Sequence, residues 1–210
     1  MKTRCKWVNE NPLMIKYHDE EWGNPVHDDL ILFEYIILDA FQAGLSWNTV
    51  INKRENFRKA FSNFDPIKIS RYTKKDFDRL LNDKGIIRNK AKINSAIVNA
   101  GKFLEIKKDF ESFDKYIWQF VNHKTINNNI KDISKIPSKD KNSDKMSEDL
   151  KKRGFKFVGS TICYAFMQAA GLVNDHTIDC FRYKEVKKWL KLLLIIGKIK
   201  ISLKNYISIK

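Results

Sequence analysis

Strand-type alternation of apolar and polar residues is scarce in this chain, which argues against a fold built mainly on sheet. No apolar stretch is long enough to cross a bilayer. The best one, "WLKLLLIIGKIKI" near the C-terminus, is short and broken by lysines. The opening stretch "MKTRCKWVNENPLMIKYHDEEW" has no apolar core of the kind a secretory signal needs. Cysteines number only three, which rules out a wholly intrachain disulfide framework. No repeat of fixed period is visible. These absences predict a cytoplasmic protein with no membrane partner. At 210 residues it is long enough to bury its own core.

Acidic residues are also in short supply. Against 40 Lys and Arg stand 25 Asp and Glu, a formal net charge of +15. Such an excess suits a polyanion, because clustered cations release counterions from a phosphate backbone. Lysine dominates, however, at 32 Lys to 8 Arg, and Ile and Asn are frequent too. A nucleotide bias in the source genome would leave the same mark, so charge alone does not decide for nucleic acid. Residues 181–210 carry nine basic side chains and one acidic one, so this tail supplies +8 of the total. The sequence divides at that point into a domain over 1–180 and a basic, apolar tail over 181–210.

What the chain has in quantity is helix punctuation. Residues 28–43 read as an amphipathic helix with Asp28 or Asp29 near its start and Gly44 as its stop. Ser46 caps a second helix running to about Phe61, and Asp65 caps a third with Pro66 in its first turn. Thr73 with Asp76 approximates a capping box, and Gly85 is read as the end of that helix. Further helices are predicted near 89–108, 112–121, 144–153 and 160–170, with Gly154 and Gly171 just past two of the ends. The polar segment 123–145 reads as a long loop. The fold class is all-α.

Three constellations carry chemistry. In "LILFEYIILDAFQAGLSWNTVINKRENF" the carboxylate of Asp39 sits in a largely apolar run. A charge there is costly unless something pairs or uses it. With Trp7, Tyr17, Trp22 and Trp47 it suggests a pocket for a flat, electron-poor or cationic group, although an aromatic-rich core reads the same residue by residue. Second, Cys5 and His18 near one end and His176 and Cys180 near the other make a tetrahedral donor set of two thiolates and two imidazoles. One helical turn would place the last two, four apart, on the same face. Inert buried cysteines fit the spacing as well, and Cys163 in "STICYAFMQAAG" reads as plain core. Third, "LLNDKGIIRNKAKINSAI" is a helix–turn–helix segment with basic residues after the turn. Backbone amides of such a turn can face a DNA phosphate, and an ordinary helical hairpin looks similar.

Together these pieces resemble the type I 3-methyladenine DNA glycosylases. The matching strings are "RCKWV", "MIKYHDEEWG", "FQAGLSWNTVINKRENFRKAF", "GIIRNKAKI", "WQFVNH" and "KKRGFKFVGSTICYAFMQAAGLVNDH", and they cover residues 1 to about 180. The resemblance implies a helix–hairpin–helix fold, with the hairpin near 74–100. It also implies one structural zinc ion on Cys5, His18, His176 and Cys180 that joins the ends of the domain. It implies a monomer that binds double-stranded DNA containing alkylated adenine, flips out 3-methyladenine and hydrolyses its N-glycosidic bond, leaving an abasic site. The base pocket maps onto Trp7, Tyr17, Trp22 and Trp47, with Asp39 in the catalytic acid's place. DNA contacts map onto Gly44 and Leu45, which match a small wedge, and onto Gly85, Arg88 and Lys90.

Three positions depart from the family's pattern. The family usually has Glu where this chain has Asp39, a loss of about 1.5 Å of reach. Met14 stands where an aromatic is often found, and the tail has no counterpart. The alternative function is therefore a non-catalytic DNA-binding protein of the same fold. A purely structural zinc-stabilised bundle would leave the aromatic set unexplained.

Overall fold

The computed structural model describes residues 2–187. Expectations for the tail beyond that point lie outside the described residues. The order of elements follows the punctuation. After α1 (Pro12–Lys16) the chain widens into a π-helical turn, Tyr17–Glu21. Then α2 (Asp29–Gln42) begins, with the Asp28 carboxylate accepting from the amides of Leu30 and Ile31.

The single helix predicted from Ser46 to Phe61 is two: α3 (Trp47–Ile51) and α4 (Arg54–Ala60). At the break, the Asn52 side chain donates to the Asn48 carbonyl at 2.7 Å. Asp65 caps α5 (Pro66–Ile69), and Thr73 with Asp76 forms the capping box of α6 (Lys74–Asn82). Gly85 does not end α6. Asp83 does, and Gly85 lies in the turn beyond, its amide donating to Asp83 Oδ1 at 2.7 Å.

The long helix α7 (Lys90–Phe110) starts at its cap Asn89, and α8 (Phe113–Trp118) follows. The segment read as a loop is more ordered than its polarity indicates. β1 (Ile126–Asn127) pairs in parallel with β2 (Val173–Asn174), and α9 (Lys141–Lys152) starts three residues earlier than predicted, behind the cap Asp140. Finally, α10 (Ser160–Ala169) leads through β2 to the C-terminal ligands.

The all-α reading thus holds as a predominantly helical body with one two-residue parallel ladder. Its reason is local: two backbone pairs cannot imprint a period-2 pattern on a sequence. Packing continues past Cys180, since residues 181–187 are helical and Val186 is fully buried.

Helix α2 is the axis of the fold. Residues from Leu32 to Phe41 are all buried, so this helix is enclosed on every side by its neighbours. Phe33 meets Phe103 of α7, and Phe41 meets Phe57 of α4, with ring centroids 4.8 and 4.7 Å apart. A second, smaller cluster gathers Cys5, Met14, Tyr17, Trp22, Ile51 and Cys180 where the two ends of the domain meet.

Candidate active site

Asp39 projects from the last turn of α2 into a cavity of about 330 Å³. Its carboxyl is 2% exposed, and Oδ2 has no hydrogen-bond partner among the described residues. Burial holds its pKa well above the ordinary carboxylate range, opposed in part by the positive charge of Arg54. The aromatic residues predicted to join it do so: Trp7, Tyr17, Trp22 and Trp47 all line the same cavity. Tyr17 and Trp47 lie 4.9 Å apart, and Trp7 meets Trp22 edge to face at 5.0 Å. The indole N–H groups of Trp7 and Trp47, two residues of the cavity wall, are likewise buried and without a hydrogen-bond partner among the described residues. Groups left so are costly unless a ligand satisfies them.

Below the pocket lies a charged cluster. Arg54 donates to Glu34 at 2.5 Å and to Glu21 at 2.7 Å, and the Tyr35 hydroxyl donates to Glu21 at 2.9 Å. These pairs keep Arg54 charged and fix the far end of the π-helical turn. The same turn starts with Tyr17 in the cavity and places His18 on the other side. A π-turn inside a helix is a common mark of a functional site.

His18 belongs to the second site. Ligand atoms of Cys5, His18, His176 and Cys180, all buried, lie within 4.8 Å of one another. The Cys180 sulfur is 3.4 Å from His18 Nε2 and 3.6 Å from His176 Nδ1, and the Cys5 sulfur is 3.6 Å from His176 Nδ1. The outer nitrogens are engaged elsewhere. His18 Nδ1 pairs with Asp19 at 2.8 Å, itself gripped by Arg4, and His176 Nε2 donates to the Trp22 carbonyl at 2.9 Å. Both imidazoles therefore turn their free nitrogens inward, the arrangement that orients metal ligands. The Cys5 thiol beside it pulls the Cys180 thiol down, against the effect of burial, towards the thiolate that a cation requires. Gly23 (φ +79°) passes over this cluster, and a Cβ there would stand 3.0 Å from His176 Nε2. The four residues can hold a metal ion.

A profile of the methyladenine glycosylases matches residues 7–183. Over 180 residues the chain is 51% identical to DNA-3-methyladenine glycosylase 1 of Escherichia coli K12, covering 86% of this chain and 96% of that one. The fold superposes on a crystal structure of 3-methyladenine DNA glycosylase I with a TM-score of 0.83 at 50% identity, over 85% of this chain and 98% of the other. A variant of 3-methyladenine DNA glycosylase I, solved in complex with 3-methyladenine, matches with a TM-score of 0.82 at 34% identity, over 85% and 96% of the two chains.

The chain belongs to the methyladenine glycosylase family.

Within this family member the cavity has walls that sequence reasoning did not find. Gln42 lies three residues beyond Asp39, a helical spacing that could have revealed it. Ala165 and Gln168 are likewise three apart on α10, and the Gln168 amide donates to the buried Asp175 at 2.8 Å. Ile133 and Ile136 come from the polar stretch after β1, where nothing in the sequence marks them. Met14 packs into the small cluster and does not line the cavity.

The remaining predicted residues lie outside both sites. Gly44 and Leu45 follow α2 directly and are exposed, Leu45 by 42%. Gly85, Arg88 and Lys90 occupy the turn between α6 and α7 and its exit, with Arg88 and Lys90 exposed. Another interhelical turn, unremarked in the sequence, joins α9 to α10 through residues 153–159. The Asn99 amide clamps its Lys156 backbone from both sides, at 2.8 and 3.0 Å, and Ser147 donates to Val158 O at 2.6 Å. Lys156 itself faces solvent. No described helix is long and apolar enough to cross a membrane.

Proposed function

We infer that this chain is a DNA base-excision glycosylase that releases 3-methyladenine by hydrolysing its N-glycosidic bond. The family and the names of its relatives support the reaction. The observation that carries it to this chain is the partnerless Asp39 oxygen in an aromatic cavity large enough for a purine. Adenine methylated at N3 is cationic while attached to deoxyribose, so the base is already a good leaving group. The faces of Trp7, Tyr17, Trp22 and Trp47 favour that cation. Asp39 accepts a hydrogen bond from the exocyclic amino group, and the arriving positive charge draws down the pKa that burial raised. Water completes the cleavage and an abasic site remains. Asp39 reaches the cavity despite its shorter side chain, which supports activity with Asp in the place of the family's usual Glu.

Extruding the base from duplex DNA calls for a wedge and a grip on the backbone. We assign the wedge to Gly44 and Leu45, an apolar tip at the end of the helix that carries Asp39. We assign the grip to a helix–hairpin–helix at α6–α7, with Gly85, Arg88 and Lys90, and to the clamped α9–α10 turn with Lys156 beside it. The metal fits zinc. Ligand bonds of about 2.3 Å to sulfur and 2.05 Å to nitrogen in a tetrahedron give S···N edges of about 3.6 Å. The observed separations are 3.4 and 3.6 Å. Bound there, zinc supplies structural closure, since all four positions are taken by protein. The glycosylase domain read over residues 1–180 then takes in the packed residues 181–187 as well, with the rest of the basic tail beyond it.

The test is release of free base from DNA treated with a methylating agent, resolving 3-methyladenine from 7-methylguanine. Release of 3-methyladenine supports the reading. Binding to DNA without release, by folded protein, would favour the non-catalytic alternative.

A further inference from the structure

We infer that Lys92 is a positioning residue for base release from duplex DNA: it fixes the end of α2, and with it the relation between Asp39 and the Gly44–Leu45 turn. The inference rests on the glycosylase reading and adds to it a residue that touches neither base nor DNA.

Lys92 is the third residue of α7, its amide held by the Asn89 cap at 3.1 Å. Its side chain is buried, and Nζ donates to the carbonyls of Phe41 at 2.8 Å and Ala43 at 2.5 Å. Those carbonyls belong to the end of α2, where the last oxygens of a helix have no intrahelical partner. Helix α2 has no basic residue in its own last turn, so the negative end of its dipole is met from another element. At Ala43 the backbone leaves helical geometry, and Gly44 follows with φ +77°. The ammonium therefore grips the chain between the last turn carrying Asp39 and the exposed tip.

A reciprocal contact runs the other way. Lys53, beyond the tip, donates to the carbonyls of Lys84 and Gly85 at 3.2 Å, and Asn56 donates to Gly85 O at 3.3 Å. Two lysines thus stitch the α6–α7 turn to the segment that carries the pocket and the tip. Burying an ammonium is expensive, and burial lowers the Lys92 pKa. A cap whose only task was to satisfy two carbonyls near the surface could be water. A charged arm from the neighbouring hairpin instead ties their geometry to the body that meets DNA.

The experiment compares Lys92→Met and Lys92→Arg with wild type on methylated duplex DNA and on the same DNA heat-denatured. Affinity for free 3-methyladenine and melting temperature are measured alongside. For Lys92→Met, single-turnover release from duplex falls about 10- to 100-fold, the scale of a small misplacement in a catalytic assembly. Release from single strands, which need no base extrusion, and affinity for the free base stay within about threefold. Lys92→Arg, which keeps donors and charge, recovers most of the duplex rate. Should the Met variant not fold, Lys92→Gln, with one donor retained, gives the same split in smaller measure. Equal losses on both DNAs, or an undiminished duplex rate, would overturn the inference. A wild-type chain that releases no base from either DNA would overturn the glycosylase reading and this one with it.

Discussion

His18 and His176 meet edge to face, their ring centroids 4.8 Å apart and their planes at 90°, although one lies near each end of the domain. Nothing in ordinary core packing requires two imidazoles to turn bare nitrogens toward two thiols. The purified protein should carry one zinc per chain by elemental analysis. Cys180→Ser should lose it and melt about 5–15 °C lower, the scale for loss of a few kcal/mol in a domain of this size. A variant that kept a full complement of metal would remove Cys180 from the site.

Asp39→Asn should keep its fold and release 3-methyladenine at least about tenfold more slowly, the order of one lost charged hydrogen bond. Base release at the wild-type rate would take Asp39 out of the mechanism.

The same substitution has a pH signature. Folding raises the Asp39 pKa above its ordinary value of 3.8, so above that pH the native state holds a proton that the unfolded chain has released. Wild-type stability relative to Asp39→Asn is therefore greatest near pH 4 and below, and falls as pH rises through the native pKa. Denaturant melts of the pair from pH 4 to 8 measure this. A constant difference would mean that the carboxyl is solvated.

Leu45→Ala should leave stability within about 0.5 kcal/mol, because the side chain is 42% exposed, yet slow release from duplex DNA. Gly44→Ala meets no neighbouring atom, so its cost of about 1 kcal/mol comes only from the positive φ. Unaltered duplex kinetics in Leu45→Ala would exclude the wedge.

Each phosphate contact adds about 0.9 to the slope of log affinity against log salt on duplex DNA. The pair Arg88→Ala and Lys90→Ala, and separately Lys156→Ala, should each flatten that slope. A hairpin whose variant leaves the slope as it was does not face DNA.

Local signals carried the sequence reading a long way. Asp28, Ser46, Asp65 and Thr73 act as caps through atoms within three residues of themselves, and such information is written in the adjacent letters. Asp39 stood out because an acid in an apolar helix is anomalous wherever it points. What escaped was relational. The β1–β2 ladder depends on a partner about 47 residues away, and two pairs leave no pattern. Ile133 and Ile136 become pocket wall only because that ladder docks their segment. Lys92 reads as one of the basic residues, with Arg88 and Lys90, that flank a phosphate after the α6–α7 turn, until α2 is laid beside it and takes its ammonium. The π-helical turn, which turns Tyr17 toward the cavity and His18 toward the Cys/His cluster, has no one-dimensional signature here.

The closure of the cluster by Cys5, His18, His176 and Cys180 also sets an order in time. A ribosome releases the first two ligands long before the last two exist, by roughly 10–30 s at ordinary elongation rates. Until then the Arg54 pairs hold Glu21 at one end of the π-helical turn, but the Trp22 carbonyl still waits for its hydrogen bond from His176, so that wall of the cavity is completed late. An ion held by the four residues would thus mark a chain synthesised at least as far as Cys180: one cut short before that point keeps Cys5 and His18 but loses the two donors that complete the set.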